Sequence, residues 1–356
     1  MMRVLHVIES LGPGGIETTF LNMLRAWRDA PAWATHDVLS WSGGALERAY
    51  QQVADAVILA AEPEAWERAM LEPYDVIHFT FERSACRLLP FAIARSRAAV
   101  VYGKGYDMGG MFRLEGRFAW QPDESMMWGA DRVTFTTASL AARFTAPPDR
   151  STVLGKAAAV HRFVSLRPPD LSTPRRIVCV ANLHARKRLG DLVTAVARLR
   201  KEFADLSVRF VGADDGYEAS RLEALAAELD IVSACEIVGR RADVAADLAV
   251  SRIFALPSGC EGVPTAMLEA MAAARPVVMT DVGDVRSAVT DGVEGYVVSV
   301  GDVEALASRL RTLLTDPELA QDMGRAGRRR AMGHDVTAAA ARLRSVLEQA
   351  CGRRAA

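Results

Sequence analysis

The sequence contains few cysteines, and none of them forms a paired motif. Its five cysteines are scattered, with no C-x-x-C pair and no cluster of cysteine and histidine at the spacing of metal ligands. Neither a disulfide framework nor a zinc site is indicated by this pattern. Cys179 and Cys260 lie in or beside apolar runs, so we expect reduced thiols of the core and a reducing compartment.

Long apolar runs and an excess of one charge sign are also missing. No stretch approaches the ~18 uninterrupted apolar residues that a membrane-spanning helix needs. Met1–Arg3 leads directly into a strand-length apolar run, without a recognisable signal peptide. The formal net charge of -1 gives no support for nucleic-acid binding. We therefore expect a cytoplasmic protein that has no nucleic-acid partner.

Several nucleotide-binding and metal-binding motifs are absent as well. There is no Asp-x-Asp pair, through which metal-dependent sugar transferases hold a diphosphate and a divalent ion. The glycines at 12–15 do not have the G-x-G-x-x-G spacing, and Gly103-Lys104-Gly105 lacks the remaining residues of a P-loop. We therefore predict no nicotinamide cofactor, no resident metal and no other bound cofactor.

What the chain does contain is an alternation of short apolar strands with longer helical patterns. The strand candidates before the proline-rich segment 167–176 are 4–8, 37–41, 56–59, 75–80, 99–103, 132–137 and 152–154. Those after it are 176–181, 207–212, 236–239, 253–257, 276–281 and 295–298. Such alternation predicts an α/β protein with two mainly parallel sheets, each covered by helices on both faces.

Length and composition divide this α/β chain into two doubly wound, Rossmann-like domains. At 356 residues it is long enough for two buried cores, and the segment 167–176 (RPPDLSTPRR) has three prolines and no apolar period, which is typical of a linker. We predict a first domain over 1–165, a second over 166–335 and a helix over 336–356. Ligands of such folds bind at the carboxyl ends of the strands, so a cleft between the two sheets is expected.

The most informative stretch runs from Arg252 to Asp284. It contains an apolar strand, a loop with two glycines, a helix rich in Ala, Leu, Met and Glu, and a second apolar strand after Pro276. Pro264 suits the first turn of that helix, where its missing N–H costs nothing. Glu261 lies in the loop at the helix mouth, and Glu269 lies about two turns inside the helix. Free N–H groups at a helix N-terminus favour a phosphate, so this unit predicts a phosphorylated, hydroxyl-bearing ligand.

The string EGVPTAMLEAMAAARPVV, followed by DVG, resembles the signature of glycosyltransferase family four. Members of that family are retaining, metal-independent enzymes of the GT-B fold that use nucleotide-diphosphate sugars. The resemblance implies that the C-terminal helix crosses back to the first domain. It also implies that Glu269 holds the donor ribose and that Glu261 contacts the donor sugar as a catalytic residue. The N–H groups that would bind the diphosphate and the sugar lie around Gly262, Val263, Pro264 and Thr265, where Pro264 itself has no N–H.

The loop after the first strand of the second domain resembles the family pattern G-R-L-x-x-x-K-G with two departures. Lys187 falls on the lysine that neutralises the donor diphosphate, and it is the second predicted catalytic residue. Asn182 stands where the pattern has arginine, and Arg188 stands where it has glycine. Either Arg186 or Arg188 is left as a replacement for the missing charge. Cations at a helix N-terminus are electrostatically unfavourable, and an anionic ligand would resolve that conflict.

The first domain matches the family more loosely. The resemblance carries over Gly14 and Gly15 as a donor-facing and acceptor-facing loop, with Glu17 left open, although a plain tight turn explains glycines alone. Lys104 occupies the place of a histidine near the donor sugar. It is expected to hold a sugar hydroxyl or an acidic acceptor group, or to pair with Asp107. The family's P-N-G-V-D is replaced here by residues 155–159 (GKAAA).

The function implied is transfer of a sugar from a UDP or GDP type donor to a glycan, lipid-linked or small-molecule acceptor. Cell-envelope or exopolysaccharide assembly is the first expectation, and secondary-metabolite glycosylation is an alternative. A sugar-nucleotide epimerase or phosphorylase of the same fold, and a catalytically silent GT-B partner subunit, also stay open. Basic and apolar residues alternate over 83–97 and 112–120. A solvated helix face explains them, and peripheral contact of the first domain with the inner face of a membrane is the other interpretation.

Overall fold

A computed structural model of the protein describes residues 1–12, 14–80, 82–105, 127–144, 147–214 and 216–355. The chain divides into two compact units, Met1–Ala159 together with Asp335–Ala356, and Val160–His334. The division predicted from the sequence lies at 165/166, and the last helix was predicted as a separate segment. In the structure the first division falls at 159/160, the C-terminal segment belongs to the first unit, and the segment 167–176 lies inside the second unit.

The first unit contains one parallel sheet. Its strands are β1 (Met2–Ser10), β2 (Ala34–Ser42), β3 (Ala56–Leu59), β4 (Val76–Phe79), β5 (Ala99–Lys104), β6 (Arg132–Phe135) and β7 (Ser151–Val153). They are ordered β3-β2-β1-β4-β5-β6-β7. The order reverses between β1 and β4, which pair in register from Val4 opposite Val76 to Val7 opposite Phe79. In doubly wound sheets such a reversal point is where ligands bind.

Helices cover this sheet, and the end of the chain supplies one of them. The earlier helices are α1 (Gly15–Arg28), α2 (Glu47–Gln51), α3 (Pro63–Leu71), α4 (Glu82–Arg95) and α5 (Ala138–Ala141). The C-terminal helix, Val336–Ala355, packs against α1, where Trp27 Nε1 donates a hydrogen bond to the carbonyl of Ala340 at 3.0 Å. The return of the chain to the first unit, which the family resemblance implied, is therefore present.

The second unit repeats the same plan. Its strands are β8 (Arg176–Val180), β9 (Ser207–Val211), β10 (Cys235–Ile237), β11 (Ile253–Leu256), β12 (Val277–Thr280) and β13 (Gly295–Val298). The parallel order is β10-β9-β8-β11-β12-β13, so β8 and β11 meet at the reversal point. Its helices are α6 (Leu189–Leu199), α7 (Glu218–Glu228), α8 (Ala245–Ala249), α9 (Thr265–Ala272), α10 (Val303–Thr315) and α11 (Pro317–Met332).

Each strand candidate from the sequence corresponds to a strand of the structure, and the predicted two-domain α/β GT-B fold is confirmed. The reason is the burial of parallel sheets on both faces, which makes their strands continuous apolar runs. Every residue of β11, β12 and β13 is buried, in agreement with the runs read from the sequence. Differences are confined to strand ends, as where β1 extends beyond 4–8 on both sides.

Some sequence predictions fall outside the described residues. They concern Asp107 as a partner of Lys104 and the basic and apolar mixture over 112–120. Among the residues that are described, no helix combines the length and the apolar character needed to cross a membrane.

Candidate functional site

Most site residues predicted in the second unit lie on two loops at the reversal point of its sheet, and Thr265 and Glu269 lie in helix α9, which follows the second loop. One loop, 181–188, follows β8, and the other, 257–264, follows β11. These strands are neighbours, with Ile253 opposite Ile177 and Phe254 opposite Val178. Because the carboxyl ends of parallel strands share one edge, both loops emerge side by side. They are also bonded directly, since the amide of Gly259 donates to the carbonyl of Arg186 at 2.8 Å.

Lys187 and Glu261 form an ion pair between these loops. The Lys187 ammonium donates to Glu261 Oε1, and the two side chains are only 11% and 10% exposed. Taking both charges out of water has a desolvation cost that their attraction barely offsets, so such a pair is weak evidence for a stabilising role. Two nearly buried, oppositely charged groups at a ligand-binding edge are instead suited to a ligand that carries charge of its own.

Cys179 lies behind this pair, near the end of β8. Burial raises the pKa of its thiol to about 12, while Lys187 and Glu261 act on it in opposite directions. The thiol is therefore protonated at neutral pH and behaves as a small apolar side chain of the core. This agrees with the expectation of reduced, structural cysteines.

The loop 181–188 adopts a conformation that explains why the family pattern has glycine at the position of Arg188. Lys187 ends a 3₁₀ turn, and Arg188 follows in the left-handed region with φ 51 and ψ 38. A glycine takes that conformation without strain, whereas an arginine pays roughly 1 kcal/mol. The Arg188 side chain turns to the first turn of α6, where its Nε donates to Asp191 at 2.8 Å. Asn182 is exposed, and Arg186 is partly buried.

The loop 257–264 is held by backbone contacts that require a glycine elsewhere. The carbonyl of Gly262 accepts a hydrogen bond from the amide of Asp284 at 3.2 Å. Gly283 has φ +53, and a Cβ there would lie 1.9 Å from the carbonyl oxygen of Glu261. The glycine of the DVG string is therefore required for steric reasons. Only a residue without a Cβ lets the loop around Gly283 approach the backbone of Glu261 this closely.

The mouth of α9 has the features of an anion site. Pro264 is the N-cap residue, one position before the place predicted for it, and Thr265 begins the helix. The first turn has no acidic side chain, so its free N–H groups and partial positive charge are not neutralised from within the helix. Thr265 Oγ1 is buried and finds no hydrogen-bond partner among the described residues. Glu269 lies in the second turn and is partly buried.

In the first unit, the predicted residues Gly14 and Gly15 begin α1. Gly14 has an extended backbone with φ -76, so no left-handed conformation requires a glycine there. A Cβ on Gly14 would instead lie 1.9 Å from the Glu17 carboxylate, which folds back over it. Burial raises the pKa of Glu17, and nearby Glu9 acts in the same direction.

Lys104, the last residue of β5, is 7% exposed and has its Nζ 5.2 Å from the centre of the Phe144 ring. It lines a cavity that lies wholly within the first unit. The cavity also borders Lys156, which belongs to the segment that replaces P-N-G-V-D. Asp107, the alternative partner suggested for Lys104, lies outside the described residues.

A feature that the sequence did not reveal is a chain of three buried histidines under α1. His6 Nδ1 lies 3.0 Å from His78 Nδ1, and His6 Nε2 lies 3.0 Å from His36 Nδ1. Burial lowers the pKa of His78 to about 3 and that of His36 to about 4, and it lowers the pKa of His6 well below its usual value. Their mutual contact depends on strand register, which has no local sequence signal.

Comparison with known proteins agrees with this geometry. Residues 167–330 match the family model described as Glycosyl transferases group 1. The N-acetyl-alpha-D-glucosaminyl L-malate synthase of Bacillus anthracis is 33% identical over 152 residues, which are 43% of this chain and 39% of that protein. A GDP-mannose-dependent alpha-(1-6)-phosphatidylinositol monomannoside mannosyltransferase of Mycolicibacterium smegmatis is 32% identical over 163 residues, 43% of this chain and 42% of that protein. The matched part thus spans less than half the length of these relatives.

Solved structures extend the likeness over nearly the whole chain at the level of fold. Anabaena Alr3699/HepE in complex with UDP-glucose aligns with a TM-score of 0.80 at 18% identity, covering 98% of this chain and 100% of that one. WaaG, a glycosyltransferase involved in lipopolysaccharide biosynthesis, aligns with a TM-score of 0.76 at 18% identity, covering 97% and 99%. The chain therefore has the GT-B fold, and its second unit carries the sequence pattern of the glycosyl transferases of group 1.

Proposed function

We propose that this protein is a retaining, metal-independent glycosyltransferase that uses a nucleoside-diphosphate sugar of the UDP or GDP type. The observation that carries the proposal is the nearly buried Lys187–Glu261 pair at the reversal point of the second sheet. The match of residues 167–330 to group 1 glycosyl transferases supports it. The names of the relatives also support it, since one is GDP-mannose-dependent and one structural neighbour was solved with UDP-glucose.

In this proposal the donor diphosphate binds at the mouth of α9. Three kinds of donor are available for its oxygens. They are the N–H groups at the start of that helix, the Lys187 ammonium, and the Thr265 hydroxyl, which has no hydrogen-bond partner among the described residues. Positive charge placed there also stabilises the negative charge that develops on the diphosphate as it leaves. Glu269, in the second turn of the helix, holds the hydroxyls of the ribose.

Glu261 acts on the sugar. Its carboxylate is held by Lys187, so it keeps one orientation while it contacts the sugar and stabilises positive charge at the anomeric carbon. The bond from that carbon to the diphosphate breaks. The acceptor hydroxyl bonds through its oxygen to the carbon on the face that the diphosphate leaves, and its proton passes to the leaving diphosphate oxygen. Configuration is then retained without a side-chain nucleophile. The structural neighbour WaaG is named for lipopolysaccharide biosynthesis, which supports a cell-envelope or exopolysaccharide acceptor. The relative named N-acetyl-alpha-D-glucosaminyl L-malate synthase supports a small-molecule acceptor as the second candidate.

The proposal is tested by thermal unfolding of the purified protein with a panel of UDP-, GDP-, ADP- and dTDP-sugars. A ligand at 100-fold its Kd raises the free energy of unfolding by about 2.7 kcal/mol if it binds the native state alone. We expect a shift for one nucleotide, lost in Glu269→Ala and kept in Glu228→Ala. Glu228 is a matched control because it is an exposed glutamate on α7 of the same unit.

Hydrolysis of the bound donor, measured on the same samples, separates an enzyme from a silent subunit. Slow release of free sugar that depends on Glu261 is expected of a transferase without its acceptor. A donor-dependent thermal shift without any hydrolysis or transfer would favour the partner-subunit alternative. The absence of a shift with every donor would contradict the proposed function.

A further inference from the structure

A buried serine lies between the two loops that carry Lys187 and Glu261. Ser258 follows the last residue of β11 by two positions and is fully buried. Its Oγ donates to the carbonyl of Cys260 at 3.1 Å, and the carbonyl of Arg186, 3.4 Å away, is a second acceptor. These two carbonyls belong to the residues directly before Glu261 and Lys187. One hydroxyl therefore contacts both of the peptide groups that lead into the charged pair.

A second buried hydroxyl holds this serine in turn. Thr280, the last residue of β12, is buried, and its Oγ1 donates to the carbonyl of Ser258. The recorded pairing of β11 with β12 ends at Leu256 opposite Met279, so the Thr280 side chain adds a contact beyond the last paired residues. Thr280 thereby ties the start of the loop 257–264 to the neighbouring strand.

Burial gives both hydroxyls a fixed orientation. A hydroxyl that is withdrawn from water keeps only the hydrogen bonds that the protein offers, and a buried polar group that loses its partner is destabilising. Ser258 and Thr280 therefore hold the carbonyls that they contact, and a change at either one should be transmitted to both loops.

The ion pair depends on such support because both of its members are carried by connecting segments. Lys187 ends a 3₁₀ turn, and Glu261 lies in the loop before α9. The amide of Gly259, which donates to the carbonyl of Arg186 at 2.8 Å, is another bond between these loops. A displacement of about 1 Å at a catalytic group can slow a reaction by about 10²-fold. Functional side chains are therefore held in place by a supporting layer of hydrogen bonds.

From this arrangement we propose that the hydroxyls of Ser258 and Thr280 position the Lys187–Glu261 pair by holding in register the two peptide groups that precede its members. Both are positioning residues, since they act through the backbone of the loops. The inference deepens the proposed function and rests on it for its kinetic consequence, because a transferase needs the pair in one geometry.

Hydrogen exchange of the full chain, followed by mass spectrometry, tests the structural part without any need for activity. In Ser258→Ala and Thr280→Val, the peptides that cover 181–188 and 257–264 should exchange about tenfold faster, because local opening becomes easier when a buried hydrogen bond is lost. Ser251→Ala is the matched control. Ser251 precedes β11 by two positions, is also fully buried, and donates its hydroxyl to the carbonyl of Asp247 at 2.8 Å. Its variant should leave the exchange of both loops unchanged.

Hydrolysis of UDP-glucose, GDP-mannose, ADP-glucose and dTDP-glucose by the same variants tests the kinetic part, with donor Kd taken from thermal-shift titrations. We expect kcat to fall by about tenfold in Ser258→Ala and Thr280→Val, because the pair acts on charge that develops in the transition state. Donor Kd should change by less than about threefold, a difference below about 1 kcal/mol. Thr280→Ser keeps the hydroxyl and should restore the rate, and Ser251→Ala should not alter it.

The two measurements separate this inference from the proposed function. Unchanged exchange in both loops of Ser258→Ala and Thr280→Val would overturn the inference, and so would faster exchange with an undiminished kcat. Equal losses of kcat in Ser258→Ala and Ser251→Ala would overturn it too. A native protein that neither binds nor hydrolyses any donor would count against the proposed function, while the exchange of the loops would still decide whether the hydroxyls hold them. If Ser258→Ala does not fold, Thr280→Val and Thr280→Ser give the answer.

Discussion

The two units share one strand order but place polar groups differently. In the second unit the interior strands are apolar, and the charged pair Lys187–Glu261 lies on loops beyond the sheet. In the first unit three histidines, His6, His36 and His78, are buried within the sheet itself and under α1. The candidate charged pair of the second unit thus lies beyond the ends of its strands, whereas the buried histidines of the first unit lie within the strands themselves.

This difference has a consequence for what a sequence can show. The second unit holds its loops with backbone contacts that only particular residues allow, such as the approach of Gly283 to Glu261. Such contacts leave a contiguous pattern in the sequence. The first unit builds its cavity from side chains that come from α1 and three separate strands, so no single stretch describes it.

The largest expected contrast between the units is in their response to acid. A histidine that stays neutral in the native state contributes stability in full above the unfolded pKa of about 6.5, and this is lost as the pH falls. The pH range over which this stability is lost extends down to the pKa of the folded state, which is about 4 for His36 and about 3 for His78. Between pH 7 and pH 5 His36 and His78 should each lower the free energy of unfolding by about 2 kcal/mol, and His6, whose pKa is also lowered, acts in the same direction.

Tryptophan fluorescence during urea unfolding measures this effect in the first unit alone, because all six tryptophans precede residue 129. Circular dichroism reports both units and should retain a component that is less sensitive to pH. Removing one titrating group with His36→Asn should shrink the loss between pH 7 and pH 5 by about 2 kcal/mol. A fluorescence transition with the same pH dependence in both proteins would show that the buried histidines are not the cause.

The next largest effect is expected at the second unit's charged pair. Glu261→Gln keeps the shape of the side chain but removes the charge that the proposal assigns to the anomeric carbon. We expect kcat to fall by about 10²–10³, as when one preorganised electrostatic group is lost from an active site. Donor binding, measured by thermal shift, should change far less. Equal losses in both quantities would assign Glu261 to donor binding and contradict a role in the chemical step.

A smaller effect, on stability, tests the close backbone contact at Gly283, which we hold responsible for the recognisable sequence pattern of the second unit. Gly283→Ala introduces a Cβ 1.9 Å from the Glu261 carbonyl at φ +53, so strain and steric overlap add. We expect about 3 kcal/mol of destabilisation and a displaced Glu261. Gly292→Ala is the matched control, since Gly292 has φ +81 with nothing within 4 Å. It should cost about 1 kcal/mol from backbone strain alone, and urea unfolding followed by circular dichroism distinguishes the two.

Most of the fold could be predicted from the sequence because buried parallel strands are short apolar runs bounded by helical patterns. The predicted strand 295–298 coincides with β13, which is buried throughout. The division between the units was harder to predict from the sequence, because the proline-rich segment 167–176 has the composition of a linker and yet belongs to the second unit. There the Asp170 carboxylate accepts the amides of Ser172 and Thr173, which makes the segment a structured turn.

The candidate site was predictable where one loop and one helix carry it. Glu261, Thr265 and Glu269 are close in sequence, and a helix fixes their spacing. The pairing of Glu261 with Lys187 joins residues 74 positions apart, and periodicity contains no information about such a contact. The histidine chain likewise depends on the register of β2, β1 and β4. The sequence also cannot show that the Thr265 hydroxyl is buried without a hydrogen-bond partner among the described residues, because that depends on the surrounding structure.

The smallest effect concerns the departure at Arg188, where the family pattern has glycine. Arg188→Gly removes about 1 kcal/mol of backbone strain from the left-handed conformation at this position. It also removes an exposed ion pair with Asp191, which stabilises the protein by 0 to about 1 kcal/mol. The free energy of unfolding should therefore change by less than about 1 kcal/mol. Because the Arg188 guanidinium is turned to Asp191, donor affinity should change by less than about threefold, a difference below about 1 kcal/mol.

Arg186→Met is the matched comparison, and titration of the donor identified by thermal shift is the measurement. If Arg186 supplies the charge that Asn182 lacks, its loss should weaken donor binding by about tenfold, the effect of one charge-assisted hydrogen bond. A larger loss in Arg188→Gly than in Arg186→Met would mean that the arginine leaves Asp191 when the diphosphate binds. The strained conformation of residue 188 would then serve ligand binding, and the second unit's departure from its family would be a functional substitution.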